Sequence, residues 1–403
     1  MTSPAPAPPP PKKPNPKVLE NRWLHAAMVL FESFHRRPAW LTAAALVMVC
    51  GVMFAGWRWA APPLAPAATA VFAAAVLLDA LLLWLLPRRG ISFGPLASQL
   101  LVMLLPRLAV AGLGAAVAAR QPPAGLAGMA VLQLLGSAAY GWGMAVEPHR
   151  LSLTRLAVVT PRLPPGAPPI RLLHLSDLHL ERLTRRETRL LKLVRAANAD
   201  LIVITGDYLN LSYNKDPQAI AQVRQLLGRL RAPHGVYATL GSPPVDVPDV
   251  ARRHFAGSHI QLLSNATVTL NLGAGRRLTL LGIDCTHDVR YDSYIFSRLN
   301  ERRNGSAPAV LLYHSPELMP LVQRHGVDLY LCGHTHGGQV RLPGYGALIT
   351  SAATGRRYQM GRYDENDTTL YVSRGIGLEG LSAPRLRLFC PPEITLVTLT
   401  GSA

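Results

Sequence analysis

The chain has 403 residues, of which 49% are hydrophobic and 16% charged, with a formal net charge of +18. The basic residues are scattered and accompany no recognisable nucleic-acid-binding module, so no nucleic acid is expected as a partner. The four cysteines are far apart and form no CxxC pair, which argues against a disulfide framework and against a structural zinc site.

The N-terminal region is rich in proline and lysine. Residues 1–17 read MTSPAPAPPPPKKPNPK, a composition typical of disordered, partly extended chain. The first apolar run starts only near residue 39, so no secretory signal peptide is evident. We assign residues 1–37 to a Pro-rich, basic, disordered tail.

Four apolar segments follow, each close to the ~20 residues that a membrane-spanning helix needs. We assign residues 38–147 to a transmembrane region of about four helices. Lys and Arg precede the first segment and follow the fourth, so the positive-inside rule predicts a multi-pass protein of the inner (plasma) membrane with a cytoplasmic catalytic domain. This orientation requires the third segment to span, although Pro106 and Arg107 interrupt it. The segments are residues 39–57, 67–86, 97–119 and 124–146.

Two ionisable residues, Asp79 and Arg107, lie near the middle of apolar segments. Ionisable groups at that depth are costly and are often functional. The other span residues offer no polar pathway, however. We therefore interpret the two as a pair that joins helices, and a transport function is disfavoured.

Residues 148–169 are dense in Pro and Gly and are predicted to be a linker. Beyond it, strand-like and helix-like segments alternate, and strands then dominate. This pattern predicts a mixed α/β domain over residues 170–398, with two packed sheets and helices outside. The strand-like runs are IRLLHLS, DLIVIT, GVYATL, the hairpin VTLNLGAGRRLTLLGID, APAVLLY, VDLYLC, TTLYVS and EITLVTL, and the helical runs are RRETRLLKLVRAANA and DPQAIAQVRQLLGRL.

Polar residues follow several of these strand-like runs, and side chains at the carboxyl ends of sheet strands converge on one crevice. Imidazole and carboxylate ligands favour Mn, Zn, Fe or Ni over Ca and Mg. An Asp between two such groups can bridge two ions, which is a recurring device for phosphoryl chemistry. The sequence therefore predicts a metal site. The candidate ligands are Asp177, His179, Asp207, His314, His334 and His336.

The ordered set SDLH, TGDY, YHSPE and CGHTHGGQ resembles four of the five signature blocks of the calcineurin-like metallophosphoesterase superfamily. The segments GHTHGGQVRLPGYG, SRGIG and CPPEITLVTL resemble its membrane-attached bacterial branch, some members of which act on UDP-diacylglucosamine or other lipid-linked phosphate esters. The resemblance implies a β-sandwich of two mixed sheets flanked by helices, with two divalent ions at the strand ends. It implies that Asp177, His179 and His336 bind one ion, that His314 and His334 bind the other, and that Asp207 bridges them.

The third block departs from the family pattern. Where the family has Gly-Asn-His and then an acidic residue, this chain has Gly241, Ser242, Pro243 and Pro244. The family's Asn is a metal ligand, and its His contacts the phosphate. A serine hydroxyl is a weaker ligand, and proline has no side-chain donor, acid or base. We expect reduced occupancy of the second metal site.

Three residues are candidates for compensation. Ser242 is a weak ligand, Asp246 could replace the missing ligand if its loop folds back, and His287 in GIDCTHD follows a strand and could approach the site. His174 is expected to be structural, and His234 is expected to be remote.

Two functions follow from these observations. The first is a membrane-anchored metal-dependent phosphohydrolase that cleaves a phosphodiester or diphosphate bond in a lipid-linked or membrane-near substrate. Asp207, His314 and His334 would act through the metals, with His287 as an added candidate. Because losing a general acid costs ~10²–10⁴-fold, we expect a preference for good leaving groups. The alternative is a non-catalytic or weakly active metal- and phosphate-binding pseudoenzyme that regulates a partner.

Overall fold

The computed structural model describes residues 23–303 and 305–402. The helices are α1 (Trp23–Glu32), α2 (Ala39–Ala60), α3 (Ala65–Arg88), α4 (Leu96–Ala118), α5 (Pro122–Ala145), α6 (Arg185–Ala197), α7 (Pro217–Leu227), α8 (Pro248–Phe255), α9 (Val289–Glu301) and α10 (Met319–Val322). The strands are β1 (Ser152–Thr160), β2 (Ile170–Leu175), β3 (Leu201–Ile204), β4 (Val236–Ala238), β5 (Ile260–Leu262), β6 (Ala266–Asn271), β7 (Arg277–Gly282), β8 (Ala309–Leu312), β9 (Leu329–Cys332), β10 (Arg341–Leu342), β11 (Gly346–Ala347), β12 (Gly361–Glu365), β13 (Thr368–Val372) and β14 (Glu393–Gly401).

The apolar segments form four helices that are long and apolar enough to cross a membrane, judged by length and composition. They pack around a shared core that includes Trp57, Phe72, Met103 and Met129. Helix α4 continues through Pro106, so the predicted interruption does not break it. Neighbouring helices can satisfy the backbone groups that a proline frees, which is why such helices tolerate it.

Asp79 and Arg107 form a buried polar cluster between these helices. The guanidinium of Arg107 on α4 donates to both carboxylate oxygens of Asp79 on α3, at 3.0 and 2.7 Å. It also donates to the carbonyl and side-chain oxygens of Gln133 and to the hydroxyl of Ser137, both on α5. This Arg107 cluster (Asp79, Arg107, Gln133 and Ser137) joins three helices, as predicted for a pair with a packing role.

The C-terminal part of the chain is built on two mixed six-stranded sheets, which confirms the predicted fold class. The first has the order β1-β14-β2-β3-β4-β5, with β2 to β5 parallel. The second has the order β12-β13-β9-β8-β7-β6, with β13, β9, β8 and β7 parallel. Apolar residues of both sheets, such as Leu172, Val203, Leu280 and Leu331, form the core between them. Helices α6 and α7 cover the outer face of the first sheet, and α9 and α10 that of the second.

The structure differs from the sequence analysis at two predicted boundaries. Residues 23–36, assigned to the tail, are helical, because this stretch is apolar and packs Phe31 and Phe34 against the helix core. Residues 152–160, assigned to the linker, form β1, because SLTRLAVVT pairs in parallel with β14 along nine positions. The rest of the predicted tail, residues 1–22, lies outside the described residues.

Residues 385–389 of the sandwich pack against the apolar helices, and we call them the junction segment. The backbone nitrogen of Arg385 donates to the side chain of Gln99 on α4, and that of Arg387 to the carbonyl of Gly143 on α5, both at 2.9 Å. Leu386 is buried in the helix core. The junction therefore holds the loops at the strand ends directly against the apolar helices.

Candidate metal centre

The predicted ligand residues converge at one edge of the sandwich. Because β2, β3, β8 and β9 run in parallel within their sheets, the loops that follow them meet at the same end. All six side chains are buried there. Asp177 and His179 follow β2, Asp207 follows β3, His314 follows β8, and His334 and His336 follow β9.

Left-handed backbone marks these loops. Asp177, His179, Asp207, His334 and His336 have φ values of 51, 38, 58, 70 and 51°. Residues other than glycine rarely adopt this region, and such conformations persist where the surroundings impose them, often at functional sites. The sharp turns let residues close in sequence point into one cleft.

Two glycines allow the carboxylates to approach the backbone. A Cβ atom on Gly241 would lie 2.2 Å from Oδ1 of Asp207, and one on Gly333 would lie 2.0 Å from Oδ2 of Asp177. Real Cβ atoms do not approach oxygen so closely, so both positions need glycine. The glycine retained in the altered third block therefore has a steric role.

Asp177, His179 and His336 form the first compact group of candidate ligand atoms. The Nε2 atoms of His179 and His336 lie 3.0 Å apart. Oδ1 of Asp177 lies 3.6 Å from Nε2 of His336 and 4.0 Å from Nε2 of His179. These are the three residues that the family resemblance implied for one ion.

Asp177, Asp207 and His314 form the second compact group. Nε2 of His314 lies 3.2 Å from Oδ2 of Asp207 and 3.9 Å from Oδ1 of Asp177. Nε2 of His179 also lies 3.4 Å from Oδ2 of Asp207. Both aspartates therefore lie between the two sets of imidazoles.

His334 lies beside these groups and, among the described residues, belongs to neither of them. The centre of its ring is 5.1 Å from that of His314. Its backbone nitrogen donates to Oδ1 of Asp177 at 3.0 Å. Its Nε2 atom is buried and has no hydrogen-bond partner in the described part of the chain.

The residues fit a site for divalent ions. A buried imidazole nitrogen without a partner is costly, and both Nε2 of His334 and Nε2 of His314 lack a well-formed hydrogen bond among the described residues. The Nε2 atoms of His179 and His336 lie 3.0 Å apart, so one cation could contact both imidazoles. Donors of the imidazole and carboxylate type, without thiolate, suit Mn, Zn, Fe or Ni.

Burial and neighbouring charges shift the pKa values of three candidate ligands, and Asp207 and His314 favour each other's charged form. Burial raises the pKa of Asp177 above its ordinary value. Burial alone would also raise the pKa of Asp207, but the neighbouring histidines, His314 foremost, lower it below its ordinary value. Burial alone would lower the pKa of His314, but Asp207 and Asp177 raise it to about 10.

The other two histidines of the last block behave differently. Burial, together with adjacent histidines, holds the pKa of His334 and that of His336 well below the ordinary value. Both imidazoles are therefore neutral at physiological pH. A neutral imidazole is the form that binds a metal.

The altered third block still reaches the cleft through Ser242. Its backbone nitrogen donates to Oδ1 of Asp207 at 2.7 Å, and its hydroxyl lies 3.1 Å from Nε2 of His287. The side chain of Ser242 therefore contacts a histidine from the loop that follows β7.

Asp246, proposed from the sequence as a replacement metal ligand, instead binds backbone N–H groups. Its carboxylate accepts the backbone N–H groups of Asp207, Tyr208 and Gly241, at 2.7, 3.0 and 2.8 Å. Burial, followed by the charge of Asp207, raises the pKa of Asp246 to about 7. The loop does fold back, but its carboxylate braces the two strand-end loops instead of joining the candidate ligand atoms.

His287 is placed at the cleft, as the sequence suggested. It follows β7 with a left-handed φ of 59°, and its ring centre lies 4.6 Å from that of His334 and 6.4 Å from that of His314. Its Nδ1 atom lies 3.9 Å from Oε2 of Glu317.

Glu317 is a residue that the sequence analysis did not single out. Burial alone would raise its pKa, but His287 lowers it to about 2, so the carboxylate is charged. Its Oε1 atom accepts the backbone N–H of Ala353 at 2.7 Å. The available signal was its position in YHSPE, three residues after a predicted ligand.

The two histidines set aside from the sequence belong to neither compact group of candidate ligand atoms among the described residues. His174 is buried within β2, where its Nε2 atom lies 2.8 Å from the hydroxyl of Thr205. His234 precedes β4, so it lies at the opposite end of that strand from Ser242.

A cavity of about 500 Å³ extends from the metal centre to the helices. Its polar end is formed by Asp207, Ser242, His334 and His336, and most of the remaining wall is apolar. The apolar wall includes Ala27, Met28 and Phe31 of α1, Val102 and Leu105 of α4, and Val340, Ile349 and Leu386 of the sandwich.

Comparison with known proteins identifies the family of the chain. A family model described as calcineurin-like phosphoesterase matches residues 170–242. The chain is 30% identical over 274 residues to the uncharacterized metallophosphoesterase YkuE of Bacillus subtilis, covering 67% of this chain and 92% of the relative. It is 24% identical over 314 residues to the UDP-2,3-diacylglucosamine pyrophosphatase LpxG of Chlamydia muridarum, covering 64% and 91%. It is 29% identical over 247 residues to the phosphodiesterase YaeI of Escherichia coli, covering 58% and 83%. The chain therefore belongs to the calcineurin-like metallophosphoesterase family.

Proposed function

We propose that the protein is a membrane-anchored, metal-dependent phosphohydrolase that cleaves a phosphodiester or diphosphate bond in a lipid-linked substrate. The cavity carries this proposal, because one end meets the candidate metal ligands and the rest is lined by apolar helix residues. A molecule with a phosphate at one end and an acyl chain at the other matches that polarity. The relative LpxG, named as a pyrophosphatase of UDP-2,3-diacylglucosamine, supports the same substrate class.

The position of the cavity along α4 supports entry of the acyl chain from the bilayer. Helix α4 begins at Leu96, and Val102 and Leu105 lie six and nine residues further on. At 1.5 Å per residue, these side chains are about 9–14 Å along the helix. The apolar wall is thus at a depth where a lipid chain can enter without leaving the membrane. The Lys and Arg distribution supports a cytoplasmic face for the site, as predicted from the sequence.

Calcineurin-like phosphoesterases use divalent metals, and we assign the candidate ligands accordingly. Two divalent ions at this site would neutralise phosphate charge and lower the pKa of a water molecule. Gly241 and Gly333 keep the backbone close behind the carboxylates, and the backbone of Ser242 orients Asp207. We assign Asp177, His179 and His336 to one ion, His314 and His334 to the other, Asp207 to both, and Ser242 as a weak additional ligand.

We further propose that His287 takes over the substrate contact that the third block has lost. Its Nε2 atom lies beside Ser242, the position that precedes the missing histidine, and Glu317 lies on the opposite side of the ring. The Ser242 hydroxyl at 3.1 Å from Nε2 and the Glu317 carboxylate at 3.9 Å from Nδ1 favour one orientation of the ring, as a phosphate contact requires.

Replacing His287 by Ala tests this role. We expect kcat/KM to fall by about 10²-fold, as for loss of a positioned group, while bound metal is unchanged. His234→Ala, at the far end of β4, is the matched control and should leave both quantities unchanged. If His287→Ala instead removes a metal ion, the residue is a ligand, and if neither quantity changes, it has no role in the reaction.

The main experiment compares two substrates on the full-length protein in a bilayer mimic with Mn²⁺. We expect turnover of a diacylated sugar diphosphate and of a water-soluble nitrophenyl phosphodiester. Val102→Trp, which fills the apolar end of the cavity, should slow only the acylated substrate. Leu113→Trp, on an exposed part of the same helix, should slow neither. Equal effects of Val102→Trp on both substrates would contradict the lipid-linked assignment.

The pseudoenzyme is the second candidate function, and the GSPP sequence of the third block favours it. In that case the protein would bind metal and phosphate to regulate a partner. Two bound metal ions with no turnover of any ester, in both the native protein and a variant with Asn, His and Asp restored at 242–244, would support it. A rate gained only by that variant would show that the native loop has lowered the activity.

A further inference from the structure

We propose that the β10–β11 hairpin inserts into the lipid headgroup layer beside helices α1 and α4. The rim hairpin (residues 340–349) carries an apolar surface that nothing in the described chain covers. Its side chains Leu342, Tyr345, Leu348 and Ile349, with neighbouring Phe389, are 45–58% exposed. Contiguous exposed apolar surface of this kind marks an interaction site, and we assign the surface of the bilayer as its partner.

The rim hairpin starts from the helix core itself. Val340 packs against that core, and it forms a β-bridge with Leu388 of the junction segment, which packs there too. The backbone nitrogen of Arg341 also donates to the carbonyl of Leu388, at 2.9 Å. Leu342, the first exposed residue, is therefore two positions from a contact with the apolar helices. The exposed surface of the hairpin continues that of the helices, which lipid would cover.

The cavity links the rim hairpin to the apolar helices. Ile349 of the hairpin and Leu105 of α4 line the same cavity. Leu105 is nine residues into an apolar helix, or about 14 Å along its axis. The cavity thus runs from the apolar part of α4 to the rim hairpin, so the hairpin lies next to the membrane-spanning helices.

The tip of the hairpin has the chemistry of a membrane interface. The guanidinium of Arg356 lies over the ring of Tyr345, 3.9 Å from its centre. Arg356 is exposed, and its guanidinium donates to the backbone carbonyl of Tyr345, with no carboxylate paired to it among the described residues. Tyrosine is favoured at the headgroup level, and an arginine there can reach lipid phosphate.

A second hairpin provides a comparison within the same domain. The β6–β7 turn, around Ala274, is exposed but carries no large exposed apolar side chain. It precedes β7, so it lies at the end of the second sheet opposite to the loops of the metal centre. It should remain in water while the rim hairpin is in lipid.

The inference rests on the membrane anchorage proposed above but not on catalysis, and fluorescence quenching tests it. Full-length variants Tyr345→Cys, Val47→Cys and Ala274→Cys would each be labelled with an environment-sensitive nitrobenzoxadiazole dye. They would be reconstituted in vesicles of phosphatidylcholine and phosphatidylglycerol that carry doxyl quenchers near the headgroup or deep in the acyl layer. The native protein, whose cysteines are buried or half-buried, gives the background.

We expect the label at residue 345 to lose about half of its fluorescence to the shallow quencher. The label at residue 47 should be quenched mainly by the deep quencher. The label at residue 274 should be quenched by neither. Val47 is 72% exposed on α2 and serves as the marker of membrane insertion. Quenching at 47 without quenching at 345 would overturn the hairpin proposal alone, and Leu348→Cys would check it independently. Cross-linking between hairpins of two copies would instead assign the surface to self-association. Absence of quenching at all three positions would overturn the membrane anchorage itself.

Discussion

The Arg107 cluster and the metal centre both bury charged groups, but they differ in how completely those groups are bonded. The side-chain nitrogens of Arg107 make five hydrogen bonds, which matches the five donors of a guanidinium. In the metal centre, the Nε2 atoms of His314 and His334 have no well-formed bond within the described residues. A complete set of hydrogen bonds indicates a structural role for Arg107. Buried imidazole nitrogens that point into one cleft without hydrogen-bond partners instead indicate a ligand-binding site.

Asp207→Asn should give the largest effect and is the strongest test of this contrast. Asp207 lies 3.2 Å from His314 and 3.4 Å from His179, so the loss of its charge weakens both groups of candidate ligands. We expect turnover to fall by ~10³-fold or more, together with a loss of bound metal. Rate and metal content would be measured on the same preparation. Asp364→Asn, in an exposed ion pair with Arg362, is the matched control. Full metal content in Asp207→Asn would contradict the bridging assignment.

Arg107→Met tests the structural role of the fully hydrogen-bonded Arg107 cluster. It leaves Asp79 buried without its cation, and breaking a buried pair in this way costs about 3–5 kcal/mol of stability. Thermal unfolding in detergent would show a lower midpoint, with metal content unchanged. The double variant Asp79→Leu/Arg107→Met should recover most of the loss, since it leaves no unpaired charge. If the unfolding midpoint of the double variant does not recover, the Arg107 cluster has a role beyond joining the helices.

Asp246 tests the same comparison within the metal centre. Its carboxylate already accepts three backbone hydrogen bonds, so we expect a structural role. Asp246→Ala leaves buried N–H groups without acceptors, at about 1–3 kcal/mol for each group, and Asp246→Asn retains part of the acceptor capacity. The expected order of unfolding midpoints is native, then Asn, then Ala, with metal content retained in the Asn variant. A metal lost from Asp246→Asn at unchanged stability would restore the sequence-based assignment of Asp246 as a ligand.

His174 should give the smallest effect. Burial lowers its pKa from 6.5 to about 3, so the unfolded chain binds a proton that the folded chain does not between these values. Its contribution to stability is complete above the unfolded pKa and is lost as the pH falls. Between neutral pH and about pH 5 the loss is about 1–2 kcal/mol. Urea midpoints of the native protein and of His174→Gln would be compared at both pH values. A loss of equal size in the variant would contradict this account.

Much of the fold was predictable because apolar periodicity is local. The runs that form β2, β3, α6 and α7 have clear strand or helix patterns, and the four long helices follow from the length and apolar composition of their segments. Strand β1 was assigned to a linker, because its flanking prolines dominate the local pattern and its partner β14 lies more than 230 residues away.

The candidate ligands were also predictable, because each follows a strand, and the carboxyl ends of parallel strands lie at the same edge of a sheet. The hydrogen bonds of Asp246 are not predictable from the sequence, because they depend on how two loops fold over each other. The position of Glu317 in YHSPE was a local signal, but its contact with His287 and the cavity depend on contacts between segments distant in sequence. The cavity in particular needs α1 and α4 to lie against the strand-end loops.

The junction segment has a practical consequence for biochemistry. Leu386 is inserted into the helix core, and Val340 and Leu388 pack against it. A truncated protein that starts near residue 150 would expose these three side chains to water and would lose the acceptors of Arg385 and Arg387. Its cavity would also lose one wall. Low solubility or weak activity of such a fragment would therefore reflect the missing helices, and it should not be taken as evidence about the third block.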